Sequence, residues 1–347
     1  MLTTFHRLYF KNSQDIKEIE NESVNLVVTS GPYPMIEMWD QLFCDQNPEI
    51  GEALEKGNGF EAFELMHKEL DLVWNEIFRV LKTGGIACIN IGDATRRINN
   101  EFNLYPSHSR VMNHSMKIGF NCLPSIIWSK QTNAPTKFMG SGMIPPGAYI
   151  TLEHEHIIVL RKGGKREFNT DSEKKARRKS AYFWEERNVW FSNVWDLMGK
   201  HQSLKNNNVR KRSAAFPFEL AYRLINMFSV KGDVVFDPFL GTGTTILAAM
   251  ASKRNSIGVE IDENFREIIC TGIEGIVEFA NIFNNERIQK HRDFIKNYKL
   301  KQGKPKYVNL YYETPVITKQ EIEIQMDNLK EVVQISPNQF EVSYLEE

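Results

Sequence analysis

Residues 232–262, GDVVFDPFLGTGTTILAAMASKRNSIGVEID, constrain the fold more than any other part of the chain. Val234, Val235 and Phe236 form a short apolar run, the kind that a strand covered on both faces requires. Asp237-Pro238-Phe239-Leu240-Gly241-Thr242-Gly243 follows as a glycine-bearing loop. Residues 244–254 carry a helix pattern, with Thr242 or Thr244 placed to cap its start. Residues 257–261 are the next strand, which ends in Glu260 and Asp262. Strand, loop, helix and strand in this order make a βαβ unit, and such a unit demands a parallel sheet. Glu260 stands 23 residues after Asp237, the interval at which dinucleotide folds place an acid for ribose hydroxyls. The glycine fingerprint of those folds is incomplete, because Thr245 or Ile246 occupies the place of its third glycine.

A second stretch, VNLVVTSGPYPMIEMWD, covers residues 24–40. Residues 24–28 read as a buried strand, and the chain then breaks at Ser30-Gly31-Pro32-Tyr33-Pro34. Two prolines and a glycine fix this turn and remove amide donors, so its carbonyls face outward as acceptors. Ser30 adds a hydroxyl, and Tyr33 adds a flat ring with a polar tip. Rigid acceptors beside an aromatic plate suit a planar heterocycle that carries an exocyclic NH2 group.

The pair FDPFLGTGTT and SGPYP resembles the S-adenosylmethionine-dependent amino-methyltransferases that act on DNA. In that family the first loop binds the cofactor, and a turn of the type (Asp/Asn/Ser)-Pro-Pro-(Tyr/Phe) holds the target base. The order of the pieces, with the base-holding turn first and the cofactor loop last, resembles the β class. The resemblance covers about residues 1–275 and implies an α/β, Rossmann-like methyltransferase fold. Its sheet is mostly parallel and doubly wound, with an antiparallel edge and an inserted target-recognition region. Ser30 at the head of the turn resembles the cytosine-N4 enzymes of restriction-modification systems, whereas adenine-N6 enzymes more often carry Asp or Asn there. Gly31 stands where the family usually has proline, which implies a looser backbone at that carbonyl.

The 347 residues suffice for one large α/β domain with an insertion, and 41% hydrophobic with 25% charged residues is ordinary globular composition. There is no apolar run of 18 residues or more, and residues 1–13 lack an apolar signal core, so the expectation is a cytoplasmic prokaryotic protein without membrane contact. Cys44, Cys88, Cys122 and Cys270 are widely spaced and read as free thiols. The net charge of −1 hides an asymmetry, because residues 161–213 hold 15 Lys/Arg and 6 Asp/Glu, a local charge of +9. A basic block in an otherwise acidic chain points to a polyanion.

In chain order, residues 5–10 read as a strand, 14–20 as a short polar helix, and 35–43 as helical. Residues 44–59 read as a mobile loop over the turn. Residues 60–80 are an amphipathic helix and 86–91 a buried strand ending in Asn90-Ile91-Gly92-Asp93. Because ligands bind beyond the carboxyl ends of such strands, Asn90 and Asp93 are candidate base or amine contacts. Residues 107–118 read as a helix, and 122–128 with 152–160 as an antiparallel pair at the sheet edge. Glu153, His154, Glu155 and His156 alternate on that strand, so the histidines share one face. No further His or Cys cluster in the sequence supplies more ligands, so the reading is no metal. Residues 212–228 are a turn and a helix, and 263–298 are helical. Beyond 299 lie a strand-like VNLYY, a helical patch at 319–333 and a final FEVSYL.

Four parts follow: a catalytic half with the base-binding turn (1–130), a target-recognition region (131–213), a cofactor-binding half (214–298) and a C-terminal extension (299–347). The resemblance implies that Ser30, Gly31, Pro32 and Tyr33 act on the flipped base. Ser30 Oγ and the Gly31 carbonyl would accept from the amine, and Tyr33 would stack on the ring. It implies that Phe216, Pro217, Asp237, Pro238, Phe239, Gly241, Gly243, Thr244 and Glu260 hold S-adenosylmethionine. Lys130, Arg177, Arg178, Lys179, Arg187, Arg210, Lys211 and Arg212 are the candidate contacts to double-stranded DNA. The expected reaction is methyl transfer to the N4 amine of a cytosine. A cognate restriction endonuclease is the implied partner, and monomer and homodimer both stay open. Three alternatives remain: an adenine-N6 enzyme, a methyltransferase for RNA or a small molecule, and a non-catalytic DNA-binding relative.

Overall fold

Residues 24–28, apart from Asn25, and 234–236 are apolar on both faces, and each strand therefore lies between two others. The computed structural model describes residues 3–130, 139–197, 216–303 and 305–345. The chain begins with β1 (Thr3–Phe10) and β2 (Val24–Ser30), and helices α1 (Asp40–Gln46), α2 (Pro48–Glu55) and α3 (Gly59–Val80) lead to β3 (Leu81–Ile91). A hairpin of β4 (Ala94–Ile98) and β5 (Glu101–Tyr105), then α4 (Ser107–Lys117), precede β6 (Phe120–Ser129). The short pair β7 (Met139–Gly140) and β8 (Ala148–Tyr149) precedes β9 (His154–Lys162). Helices α5 (Asp171–Lys179) and α6 (Trp184–Trp190) lead to β10 (Val194–Asp196). Then come α7 (Phe218–Phe228), β11 (Val234–Asp237), α8 (Thr244–Ala251), β12 (Asn255–Glu260), α9 (Arg266–Glu274) and α10 (Ile276–Gln302). The short pair β13 (Tyr307–Val308) and β14 (Pro315–Val316), then β15 (Leu329–Ser336) and β16 (Gln339–Tyr344), complete the described chain.

Ten strands form one sheet in the order β10-β6-β9-β3-β2-β11-β12-β1-β16-β15. β3, β2, β11, β12 and β1 are mutually parallel. β2 and β11 touch through Leu26 opposite Val235 and Val27 opposite Phe236. From β2 the chain winds toward β3, and from β11 it winds toward β12 on the other side. The two connections diverge there, which opens a crevice beyond the carboxyl ends of β2 and β11. Both motifs read from the sequence sit in that crevice. Two apolar layers cover the sheet, one with α7, α8 and α10 and one with α3 and α4. The fold is the expected Rossmann-like methyltransferase fold.

Local expectations fail where tertiary partners take over the backbone. Residues 14–20 are turns, not a helix: the Ile16 and Ile19 carbonyls accept from Arg79, and Ile16 N donates to Glu76. Side chains of α3 thus use the groups a helix would pair internally. Residues 44–59 hold α2, which starts on a side-chain cap from Asn47 with Pro48 in its first turn and buries Ile50 and Ala53. The 263–298 helix breaks at Gly275 into α9 and α10. The helical patch at 319–333 is one short turn followed by β15, because β16 offers it an antiparallel edge. β16 in turn pairs with β1, so the C-terminal extension lengthens the sheet. Among the described residues no helix is long and apolar enough to cross a membrane.

The direction of β9 decides where the basic block goes. β9 runs antiparallel to β3 and β6. His154 lies opposite Ser129 at the carboxyl end of β6, and Arg161 opposite Ile86 near the start of β3. The chain therefore leaves β9 at the edge opposite the crevice. Arg166 reaches Asp233, just ahead of β11, at 2.6 Å, and Ser180 Oγ accepts from Lys231 N at 2.9 Å. α5 with its Arg177, Arg178 and Lys179 lies on that far edge.

Candidate active site

Ser30 is the last residue of β2, and its turn folds back over the end of β3. Tyr33 is buried with its hydroxyl among three partners. Tyr33 OH donates to Glu155 Oε2 at 2.8 Å, and Asn90 Nδ2 donates to the same oxygen at 2.7 Å and to Tyr33 OH at 2.8 Å. Lys130 Nζ holds the other Glu155 oxygen at 2.6 Å. Burial, then the Glu155 carboxylate, pushes the Tyr33 phenol well above its ordinary pKa, so it stays a donor. Its one proton goes to Glu155. In the 3.0 Å contact between Ser30 Oγ and Tyr33 OH, Ser30 is therefore the donor. This leaves Ser30 with acceptor capacity only, part of it facing Asn90 Nδ2 at 3.4 Å and the rest the complement of an incoming NH2. Asn90 Oδ1 is buried without a partner among the described residues, a second acceptor in the same cluster.

Two glycines make this packing possible. A Cβ on Gly92 would stand 2.9 Å from the Tyr33 ring. A Cβ on Gly31 would stand 2.9 Å from Phe239 Cε2, so the turn and the second loop are in contact here. At Gly31 the absence of a side chain is the condition for the close approach of Phe239.

The second loop is tied to the first by Asp237. Thr29 Oγ1 donates to its Oδ1 at 2.6 Å, Thr245 Oγ1 to its Oδ2 at 2.6 Å, and Phe239 N to Oδ1 at 3.0 Å. Asp237 thus turns its carboxylate inward and clamps β2, the loop and α8. Burial pushes its pKa up to about 6. Gly241 and Gly243 have positive φ (54° and 86°), and Gly243 opens α8. Glu260 accepts from Gly241 N at 2.7 Å and Asp262 N at 2.9 Å. It lines a cavity with Asn12, Ser13, Gln14, Pro32, Leu42, Phe43, Gln46, Glu69, Leu70, Val73, Pro238, Phe239 and Ile261. Pro217 precedes α7, and Phe216 is buried beside it.

These residues fit S-adenosylmethionine. Pro32, Phe239 and Ile261 offer apolar plates for a purine, Glu260 stands at the strand end where ribose hydroxyls bind, and the start of α8, opened by Gly241 and Gly243, offers amides to a carboxylate. Asn12, Gln14 and Phe43 were not read as cofactor wall, because nothing in their local sequence marks them. Glu155 and Thr29 were also missed as site residues. Their only sequence signal is alternation on strands beside Ser30 and His156.

Other expected residues lie elsewhere. Asp93 does not join the Ser30 cluster: it accepts from His108 N at 3.0 Å and His108 Nδ1 at 2.7 Å, at the start of α4. Lys130 is at the site, but its charge is paired with Glu155. Arg178 pairs with Glu323 at 2.7 Å, Lys179 bonds Gln325 at 2.8 Å, and Arg177 lies over Phe168. These three are on the edge opposite Ser30, a correction that follows from the direction of β9. Arg187 is exposed on α6 over Phe191. Arg210, Lys211 and Arg212 lie outside the described residues.

Fold and site together define a Rossmann-like methyltransferase with S-adenosylmethionine as cofactor. A family model described as DNA methylase matches residues 24–271, and the chain belongs to that family. It is 52% identical over 347 residues to the type II methyltransferase M.MthZI of Methanothermobacter thermautotrophicus, covering 99% of this chain and 96% of that protein. To the type II methyltransferase M.MjaI of Methanocaldococcus jannaschii it is 50% identical, covering 81% and 98%. A Thermus thermophilus protein solved in complex with S-adenosyl-L-methionine superposes with a TM-score of 0.60 at 32% identity, covering 78% of this chain and 95% of that one.

Three outcomes test this geometry. The folded Asp237 holds its proton up to about pH 6, so it favours folding below about pH 4, and this contribution is lost as pH rises to 6. Relative to Asp237→Asn, the wild type should lose about 3 kcal/mol across that window, measured by denaturant unfolding at each pH. Gly31→Ala should push the Phe239 ring aside and cost about 1–3 kcal/mol. Combined with Phe239→Leu, its penalty should shrink, which unfolding of the four-member cycle reads as non-additivity. Replacing both Arg177 and Arg178 with Gln should leave duplex DNA affinity and its salt slope unchanged; a slope reduced by about 1–2 would put DNA on the far edge.

Proposed function

We propose that the protein transfers a methyl group to the N4 amine of a cytosine flipped out of duplex DNA. The acceptor character of Ser30 Oγ, fixed by Tyr33, Glu155 and Asn90, carries this reading. S-adenosylmethionine supplies an electrophilic methyl on a sulfonium. The chain's own residues must present the amine to it with its lone pair free. In free cytosine that lone pair is delocalised into the ring. Acceptance by Ser30 Oγ and by the Gly31 carbonyl favours a pyramidal nitrogen, and the Tyr33 ring is the plate for the extruded base. Such catalysis is positioning and electrostatics, because each partner is already locked before the base arrives. The Ser30-headed turn favours cytosine, and an adenine-N6 acceptor would use the same acceptors.

Duplex DNA would dock on the edge that carries Ser30. The chain between Lys130 and His154 and the chain between Leu197 and Phe216 both start and end at that edge, and on this reading they are the target-reading parts of residues 131–213. Met143 (84% exposed) and Ile144 (70%) stand in the first of them, apolar side chains suited to wedge between base steps. The type II relatives support a role as the modification half of a restriction-modification system in a prokaryotic cytoplasm, with an endonuclease that cuts the same site as its partner.

Labelled S-adenosylmethionine and unmethylated duplex DNA, followed by nucleoside analysis, test the proposal. N4-methylcytosine is expected, and N6-methyladenine would overturn the base assignment. Ser30→Ala should lower kcat about 10²–10³-fold with cofactor affinity unchanged; undiminished turnover would remove Ser30 from the reaction.

A further inference from the structure

The sequence places no ligand beyond the Glu153-His154-Glu155-His156 run, but the fold does. β9 lies beside β3 with His156 opposite Ile91, two residues before Asp93. Helix α4 brings His108 over the same spot. The His108 and His156 rings stack at 3.9 Å with an 18° tilt. One ligand atom each from Asp93, His108 and His156 lies within 4.8 Å of the others. His154 Nε2 stands 3.2 Å from His156 Nε2.

These ligand atoms are close enough to close on one cation once the His108 and His156 rings turn out of their stack. Two nitrogens on a tetrahedral zinc, each about 2.0–2.1 Å from it, stand about 3.3 Å apart. Alternate residues on one strand face present both imidazoles as one bidentate arm. Asp93, bonded to His108 Nδ1, leaves Nε2 of that ring with the lone pair, and a carboxylate behind a histidine is the usual support of a zinc ligand. The geometry points to a binding site for a divalent transition cation of the zinc type, built from Asp93, His108 and His156, with His154 beside His156 as a further imidazole. Imidazole-rich sites favour zinc, cobalt and nickel over magnesium and calcium.

The site lies outside the methyl-transfer pocket. Glu155, between the two histidines, points to the other face and holds Tyr33 and Asn90. A bound cation ties together the start of β9, α4 and the turn after β3. That turn includes Gly92, against which the Tyr33 ring packs. The cation therefore stiffens the wall of the acceptor pocket and takes no part in the transfer itself.

Zinc titration of the untagged full chain by calorimetry tests this, with cobalt absorption as a probe of geometry. One equivalent of zinc is expected, with the intense visible bands of four-coordinate cobalt. His108→Ala and His156→Ala should each weaken zinc binding about 100-fold or more, and Asp93→Asn about 10–100-fold. S-adenosylmethionine affinity, measured in parallel, should stay within about twofold, which shows that the variants are folded and keeps this test separate from the reaction proposed above. Absence of zinc binding to the wild type would mean that His154 and His156 only share an N–H···N bond, and overturns the site. Equal affinity in the His108→Ala/His156→Ala double variant overturns it as well.

Discussion

The carboxylate of Asp237 is the interaction on which the rest of the site depends. It is buried, and its two oxygens take hydroxyl protons from Thr29 on β2 and Thr245 on α8 and an amide proton from Phe239. An acid so deep in the sheet is costly unless every lone pair is used. That requirement fixes the end of β2, the loop after β11 and the first turn of α8 relative to one another. The Ser30 turn and the loop after β11 are 207 residues apart between Ser30 and Asp237, yet they share this one anchor. The packing of Phe239 against Gly31 is a second contact between them. The relative placement of the two loops is thus set by the fold before any ligand enters.

The acceptor pocket shows the same economy of protons. Glu155 takes the Tyr33 proton and one from Asn90, and Lys130 neutralises its other oxygen. The consequence falls on Ser30, whose hydroxyl must donate inward and can only accept outward. A serine in a turn is chemically ambiguous, because a hydroxyl both donates and accepts. Here a carboxylate from a strand 125 residues away in sequence resolves it. Sequence reading reached Ser30, Tyr33 and Asn90, since each sits at the end of a recognisable strand. It did not reach Glu155, whose role exists only because β9 inserts between β3 and β6.

The direction of a single strand accounts for most of the remaining differences. β9 antiparallel carries the lysine- and arginine-rich segment to the edge opposite the crevice, where Arg166 and Arg178 find Asp233 and Glu323. Charge counting finds a basic block but has no means to place it. The same strand brings His154 and His156 to His108 and Asp93, residues that look unrelated in the chain.

The sequence alone determined the parallel core, the glycine-bearing loop, the Ser30 turn and their common location. Apolar runs covered on both faces and a βαβ spacing leave one arrangement, with ligands at the carboxyl ends of the strands. Only the tertiary structure decided which polar atoms point at the crevice. Asp237 turned inward, Asp93 went to His108, and Glu155 came to Tyr33, because each side chain's direction follows from the strand beside it. Local patterns set where chains bend and which faces are buried. The assignment of each proton and charge waits for the neighbours that only the completed sheet supplies.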